Sequence, residues 1–209
     1  MAKDSAKKET DSAAKILTSF LKKIPPQVLA EAKGLAIFSG FRGGMWVAGS
    51  GGSGVVVARL PDGTWSPPSA FQVRSGSFGL SLGIDVFDCI AVLNTPEALA
   101  AYYSESDAGG KVVMGGGISV AAGPVASTTA STSDSGSGGK KAVYTYTKSM
   151  GLYGGVTVDG TVIKANQKVN EAWYGQSGVT VEKILRGDVK AGEWPTGGNG
   201  LREVLAGIP

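Results

Sequence analysis

The residues of this sequence that could do chemistry are acids, lysines and one thiol, because none of its 209 residues is a histidine. Without histidine, Ser-His-Asp and Cys-His catalysis and a histidine-ligated zinc site are excluded. The single cysteine, Cys89, lies in the apolar run 86–93, which predicts a buried core residue. Asp85 and Asp88 could form a carboxylate pair, but at this spacing on a strand they face opposite sides, and one is expected to reach solvent or a turn amide. We expect no enzyme, no metal site and no cofactor.

Two further patterns argue against common ligands. Residues 49–54 match the G-x-G-x-x-G spacing of dinucleotide-binding loops. Such a loop leads from a strand into a helix, whereas the segment that follows, 55–60, has the composition of a strand. The four tryptophans are dispersed, with no basic stripe around them. We therefore expect neither a nucleotide nor a nucleic acid as a partner.

The positive charge is concentrated at the N-terminus. Residues 1–33 hold seven lysines and four acids, so this segment carries the chain's whole net charge of +3. It also has the periodicity of an amphipathic helix, with Thr10 or Asp11 as the expected cap and the Pro25-Pro26 pair as the stop. The apolar positions that share one helical face are Ala13, Ile16, Leu17, Phe20, Leu21 and Ile24. Lys8, Lys15 and Lys22 recur every seven residues and therefore form one polar stripe.

Two interpretations of this helix remain open. In the first, its apolar face packs on the domain core and the lysines are solvated. In the second, the apolar face or the lysine stripe meets an anionic membrane. Each lysine near an anionic leaflet contributes about 1 kcal/mol, so the adhesion would be weak and salt-sensitive and would need a second contact.

The rest of the chain has the pattern of a β-rich domain. Strands are predicted at 34–41, 45–48, 55–60, 71–93, 111–125 and 142–164, with tight turns at 61–63 and 159–160. Short helices are predicted at 27–32, 95–103 and 179–185, with a possible last turn at 201–205. The fold class is α+β and β-dominated: a glycine-rich antiparallel sheet, curved or barrel-like, with the N-terminal amphipathic helix and short peripheral helices.

The predicted organisation is one domain with short appendages. Residues 1–10 are expected to be a flexible basic N-terminus and residues 11–188 the domain. A mobile loop rich in serine, threonine and glycine is expected at 127–141, and a loose C-terminal tail at 189–209. The lone cysteine and the lack of a signal-like or membrane-spanning run favour the cytoplasm.

Several stretches of this sequence, in order and spacing from about residue 11 to 188, resemble the SYLF domain. They are IPPQVL (24–29), KGLAIF (33–38), GGSGVVVAR (51–59), DGTWSPPSA (62–70), VLN (92–94), AAGPV (121–125), YTYTKS (144–149) and GLYGGV (151–156). This sequence differs from well-known relatives in two respects. It ends without their C-terminal Src-homology-3 domain, and its 127–141 loop is longer and more polar than expected. Actin bundling that depends on the missing domain is therefore not expected of this chain.

The resemblance implies a non-catalytic module of yeast endocytic proteins and their animal relatives that binds actin filaments and phosphoinositides. In the animal relatives, the lipid contact is ascribed to an N-terminal basic amphipathic helix. Carried over to this sequence, the implied phosphate partners are Lys8, Lys15, Lys22 and Lys23, and the inserting or packing residues are Ile16, Leu17 and Phe20. The implied location is the cytoplasm, peripheral membrane or cortical actin patches.

Two other functions are compatible with the composition. The first is a β-barrel that carries a small apolar ligand, with the N-terminal helix as a structural lid, which predicts a sizeable internal cavity. The second is a carboxylate-based hydrolase, for which the sequence names no converging pair of acids.

Overall fold

The computed structural model describes residues 2–103, 111–122, 126–129, 142–150, 152–189, 194–195 and 197–209. The helices are α1 (Ala2–Phe20), α2 (Pro26–Ala30), α3 (Pro96–Ala100), α4 (Gln167–Tyr174), α5 (Val181–Leu185) and α6 (Asn199–Ala206). The strands are β1 (Gly34–Ala58), β2 (Ser69–Leu93), β3 (Lys111–Ala122), β4 (Ala126–Thr129), β5 (Val143–Ser149) and β6 (Leu152–Ala165). The predicted fold class, a β-dominated antiparallel sheet with helices at its margins, is confirmed.

The centre of the sheet is a long hairpin of β1 and β2, each 25 residues long. The predicted turn at 61–63 closes it: the Gly63 amide donates to the Leu60 carbonyl at 2.9 Å, and Gly63 has a φ of 84°, which glycine adopts without strain. The prediction of three separate strands in this part of the chain was wrong. The ladder to β2 runs through the glycine-rich stretches with a single irregularity, between Met45 and Val47.

The remaining strands extend the sheet beyond β2 as two lines of collinear strands, first β5 with β6 and then β4 with β3. β5 and β6 pair with β2 in one continuous register, which is interrupted opposite residues 85–86 of β2. β3 and β4 pair in the same way with β6 and β5. β1 and the β3–β4 line are the two edges, so the sheet is open rather than a closed barrel. The turn predicted at 159–160 was wrong, because both residues lie inside β6 and pair with β2.

The first and second halves of β1, which we call its two arms, lie against each other at glycines, where residues 37–40 meet residues 51–54. A Cβ atom added to Gly40 would lie 2.6 Å from the Gly51 carbonyl oxygen, and one added to Gly54 would lie 2.5 Å from the Phe38 Cα. Neither position has room for a side chain. Because the two backbone segments approach so closely, these positions require glycine. The glycine content of the sequence predicts such close approaches.

Two hydrophobic cores lie on the two faces of the sheet end. On one face, α1, α4 and α6 pack on strand residues such as Leu35 and Ile37. On the other, α3 and α5 pack on residues such as Ala36 and Phe71. Thr95 caps α3 and Thr180 caps α5, each accepting a hydrogen bond at 3.2 Å from the amide three residues on. Local capping therefore fixes where these short helices start.

The structure corrects the predicted appendages. Residues 2–10 are part of α1, with Ala6 and Thr10 buried, rather than a flexible extension. Within the predicted loose tail, α6 buries Leu201 and Leu205 against α1. Of the predicted loop, residues 127–129 belong to β4, and residues 130–141 lie outside the described residues.

Candidate functional site

The N-terminal helix is longer than its sequence pattern indicates, because it begins at Ala2. Thr10, one of the two predicted caps, lies in the middle of the helix instead. Its Oγ1 donates to the Ala6 carbonyl at 2.7 Å, which satisfies the hydroxyl within the buried face. The predicted cap was therefore wrong, and so was the predicted stop at Pro25-Pro26, because the helix ends at Phe20. Of the predicted apolar positions, Ala13, Ile16, Leu17 and Phe20 are buried residues of α1.

The apolar face of α1 is part of the core. Ile16, Leu17 and Phe20 are 6%, 0% and 1% exposed, and they pack with α6 and the sheet. Of the two roles that the resemblance implies for them, inserting or packing, the folded structure has them packing. Membrane insertion by these residues would require α1 to leave the domain.

The lysine side of α1 faces solvent. Lys8 and Lys15 are exposed on the side of α1 away from the buried face, and Lys22 and Lys23 are exposed in the turn after Phe20. Lys8 lies near Glu9, whose pKa is raised by burial, an effect that Lys8 opposes. Among the residues that the structure describes, no carboxylate lies within 4 Å of the ammonium groups of Lys15, Lys22 or Lys23. These cations are available to an anionic surface.

The face of the sheet beneath α1 continues beyond the helix. Side chains two residues apart on a strand share a face, so the β1–β2–β5 register forms parallel rows. The first rows are apolar and lie under the helices, and all their members except the partly buried Tyr144 are buried: Leu35, Val92 and Tyr144, then Ile37, Ile90 and Tyr146. The next row is polar, with Ser39, Asp88 and Lys148. The row after it is apolar again, with Phe41 opposite Val86.

This second apolar part is open to solvent. Phe41 is 64% exposed and Val86 is 49% exposed. Both line an open groove of about 460 Å³, which lies between residues 39–41 and 86 on one side and residues 51–53 and 72–74 on the other. Three glycines, two serines, Gln72, Val73 and Arg74 complete the groove. An open groove of this composition does not suit the enclosed apolar ligand of the carrier hypothesis.

The opposite face carries a buried ion pair that sequence reasoning missed. Arg42 Nε donates to Asp85 Oδ2 at 3.0 Å, and Arg42 Nη2 donates to Ser149 Oγ at 3.1 Å. The Met150 amide, where the β5–β6 line is interrupted, donates to Asp85 Oδ1 at 3.0 Å. One of the two aspartates was expected to reach solvent or a turn amide; Asp85 is buried, and the amide that donates to it lies between two collinear strands. The arginine partner of Asp85 is 43 residues away, and no local pattern indicates it.

Asp88 occupies a different environment. Its partners across the sheet are Ser39 and Lys148. Burial raises the pKa of Asp88, and Lys148 opposes that rise. The two aspartates therefore face opposite sides of the sheet, as predicted, and do not form an acid–base pair.

Cys89 is buried, as predicted, and burial raises its pKa from 9.0 to about 12. When the pKa of an acid is higher in the folded state than in the unfolded state, the free energy of unfolding falls once the pH exceeds the unfolded-state pKa. Above that pH the unfolded chain releases the proton, whereas the folded chain keeps it. We expect the free energy of unfolding, measured by urea titration, to fall as the pH rises above 9.0. Burial raises the pKa values of Tyr102 and Tyr174 as well, which extends the fall to higher pH.

Cys89→Ala separates the thiol from the tyrosines. The variant should show a shallower fall of the unfolding free energy between pH 9 and 12 than the original chain does. An identical slope in the two proteins would contradict a thiol that is neutral and buried in the folded state. Thiol titration of the native chain near neutral pH gives an independent check, because the thiol should react only after denaturation.

The described residues contain no group of three acids or cysteines that could hold a metal ion. Nor does any helix within the described ranges have the length and apolar character needed to cross a bilayer. The described surface combines exposed lysines on and just after α1 with an uncovered apolar part of a sheet face.

Comparison with known proteins identifies the class. The family model described as "Ysc84: Las17-binding protein actin regulator" matches residues 74–208. "LAS seventeen-binding protein 3" of Saccharomyces cerevisiae is 41% identical over 195 residues, covering 89% of this chain and 41% of the relative. "SH3 domain-containing YSC84-like protein 1" of Homo sapiens is 38% identical over 208 residues, covering 95% of this chain and 58% of the relative. No solved structure matches.

The chain therefore belongs to the Ysc84 (SYLF) family, and the resemblance noted from the sequence is confirmed. It spans about half the length of these relatives, 41% of the yeast protein and 58% of the human one. The description of the family and the name of the yeast relative refer to binding and regulation.

Proposed function

We propose that this chain is a non-catalytic domain that binds actin filaments and anionic membranes, including phosphoinositide-bearing ones. It would act in the cytoplasm, at endocytic sites or in cortical actin patches. The observation that carries the proposal is the exposed set of lysines on α1 and in the turn after it, the α1 lysines: Lys8, Lys15, Lys22 and Lys23. A group of exposed cations along a helix and the turn that follows it suits a surface of closely spaced negative charges.

The filament part of the proposal rests on the family. The family description names an actin regulator that binds Las17, and the yeast relative is named for Las17 binding. Because this chain aligns with only part of those proteins, Las17 binding is a property that another segment of the relatives could carry. Actin binding by this domain is tested directly by co-sedimentation with filaments.

The membrane part rests on charge and position. Three lysines with no carboxylate partner among the described residues, Lys15, Lys22 and Lys23, would supply about 3 kcal/mol of attraction to an anionic leaflet. This energy is equivalent to an affinity increase of about a hundredfold. The interaction should weaken steeply with salt, because exposed charges are screened beyond about 8 Å at physiological ionic strength.

Charge reversal of these lysines tests the site. We expect the triple variant Lys15→Glu, Lys22→Glu, Lys23→Glu to lose more than about a hundredfold in affinity for vesicles that contain phosphatidylserine or a phosphoinositide, because the reversal removes three attractions and adds three repulsions. The measurement is vesicle co-sedimentation at several salt concentrations, with circular dichroism to show that the fold is intact.

A matched control has the same change in net charge at another place. Lys168, Lys183 and Arg202 are exposed on α4, α5 and α6, and their reversal to glutamate should reduce vesicle binding far less. Equal losses in the two variants would mean that only net charge matters. Unchanged binding in the α1 variant would reject α1 as the site. Filament co-sedimentation of the same proteins shows whether actin uses these lysines too.

A further inference from the structure

Four large apolar side chains are exposed among the residues whose side chains the structure describes. They are Phe41, Ile84, Val86 and Met150, with exposed fractions of 64%, 76%, 49% and 52%. Exposed apolar side chains that occur singly need no explanation, but a contiguous group indicates an interaction surface.

These four residues are neighbours. Phe41 is the cross-strand partner of Val86, and Ile84 lies two residues further along β2, on the same face. Met150 joins them because its amide donates to the Val86 carbonyl at 2.8 Å. We refer to these four residues as the Phe41 patch. In the β1–β2 register, the pair Met45 and Leu82 follows beyond it.

The charges beside the Phe41 patch are mainly positive. Arg74 is exposed and lines the same groove as Phe41 and Val86. Lys148 lies in the adjoining polar row, where it faces Asp88. The other nearby acid, Asp85, is on the opposite face and bonded to Arg42. An apolar centre with cations at its margin is the pattern of surfaces that lie on anionic membranes, where the apolar part enters the acyl boundary and the cations meet the headgroups.

Because the apolar face of α1 is buried, insertion of the folded domain into a membrane needs another apolar surface, and the Phe41 patch is such a surface. The large apolar residues of α1 are in the core, so in the folded domain the exposed side of that helix carries polar and charged side chains, Lys8 and Lys15 among them. The groove beside the Phe41 patch is open and has a floor of glycine backbone at Gly40, Gly51 and Gly52. It lacks the enclosed pocket in which protein interfaces usually hold an anchoring side chain. Shape and charge therefore favour a lipid surface over a folded partner.

We propose that the Phe41 patch is the part of this domain that inserts into anionic membranes, while the α1 lysines supply the salt-sensitive attraction. The proposal rests on the membrane binding proposed above and gives it an apolar contact. It predicts that a fraction of vesicle binding survives at high salt, because burial of apolar side chains is not screened by ions.

A polarity-sensitive fluorophore at the patch tests insertion. In a Cys89→Ala background, Ile84→Cys is labelled with a nitrobenzoxadiazole dye and mixed with phosphatidylcholine vesicles that contain phosphatidylserine or a phosphoinositide. The emission should increase several-fold and shift to the blue. The same dye at Glu203→Cys, an exposed position on α6, should not respond. A protein that co-sediments with vesicles while the dye at position 84 stays unchanged would overturn the proposal.

A second variant measures the contribution of the patch. Phe41→Thr combined with Ile84→Thr keeps strand-forming residues and removes two apolar groups. We expect vesicle affinity to fall about tenfold, and the high-salt fraction to disappear, with unchanged circular dichroism. Equal binding by this variant would reject the patch but leave the lysine site standing. If the original chain binds no vesicles at all, the proposed membrane function itself fails.

Two further measurements exclude other occupants. The dye at position 84 is also titrated with actin filaments, and with unlabelled protein at increasing concentration. A response to filaments but not to vesicles would assign the patch to a protein partner. A response that depends on protein concentration alone would assign it to a second copy of the chain. Either result would overturn the lipid proposal.

Discussion

Gly54→Ala should be among the most destabilising single-methyl substitutions in this chain, with a loss of about 3 kcal/mol or more in unfolding free energy. The new Cβ would overlap the Ile37 carbonyl oxygen and lie 2.5 Å from the Phe38 Cα and Cβ. These atoms belong to the other arm of β1, which is paired to β2 along its length and cannot retreat without breaking the ladder. Urea unfolding followed by circular dichroism measures the loss.

The control for this substitution is another glycine on the same two strands. Gly49 and Gly76 pair with each other across β1 and β2, and an added Cβ at either position would meet no atom within 4 Å. Alanine at Gly49 or Gly76 should change stability by about 1 kcal/mol or less, and in the stabilising direction if strand propensity dominates. Similar losses at Gly54 and Gly49 would contradict the close packing of the two β1 arms.

The local parts of this fold could be predicted from the sequence, because their causes lie within a few residues. The apolar spacing of α1, the threonine caps of α3 and α5 and the turn at 61–63 are all of this kind. α4 was missed although signals were present: Val169 and Trp173 are four residues apart, and Gly175 ends the helix with a left-handed φ of 59°.

The long-range parts could not be predicted in the same way. Glycines in β1 look like breaks between three strands, but pairing with β2 carries the strand through them. The sequence therefore indicates where residues could form strands and not how far each strand continues. Likewise, the lysine stripe was visible from spacing alone, whereas only the packed structure shows that the apolar side of α1 is in the core. The exposed face at Phe41 and Val86 appears only once the register is known.

The ion pair between Arg42 and Asp85 gives the second large expected effect. Arg42→Met should lower the unfolding free energy by about 3 to 5 kcal/mol, because it removes the arginine that is paired with the buried Asp85 carboxylate. The Asp85 side chain is fully buried, and the Met150 amide would remain as one partner for its charge. Arg42 also lies over the Phe87 ring, with its guanidinium carbon 5.5 Å from the ring centroid, so methionine is chosen to keep apolar volume there.

The double variant Arg42→Met, Asp85→Leu separates two contributions to the loss of stability: the cost of burying a carboxylate after its arginine is removed, and the cost of losing the ion pair itself. Replacing both members of a buried pair by apolar residues is often nearly neutral, whereas removing one is strongly destabilising. We therefore expect the double variant to recover most of the stability that Arg42→Met loses. Arg74→Met, at an exposed arginine on β2, is the control and should have an effect of about 0.5 kcal/mol or less. A double variant as unstable as the single one would mean that Arg42 acts through Ser149 and Phe87 rather than through the Asp85 carboxylate.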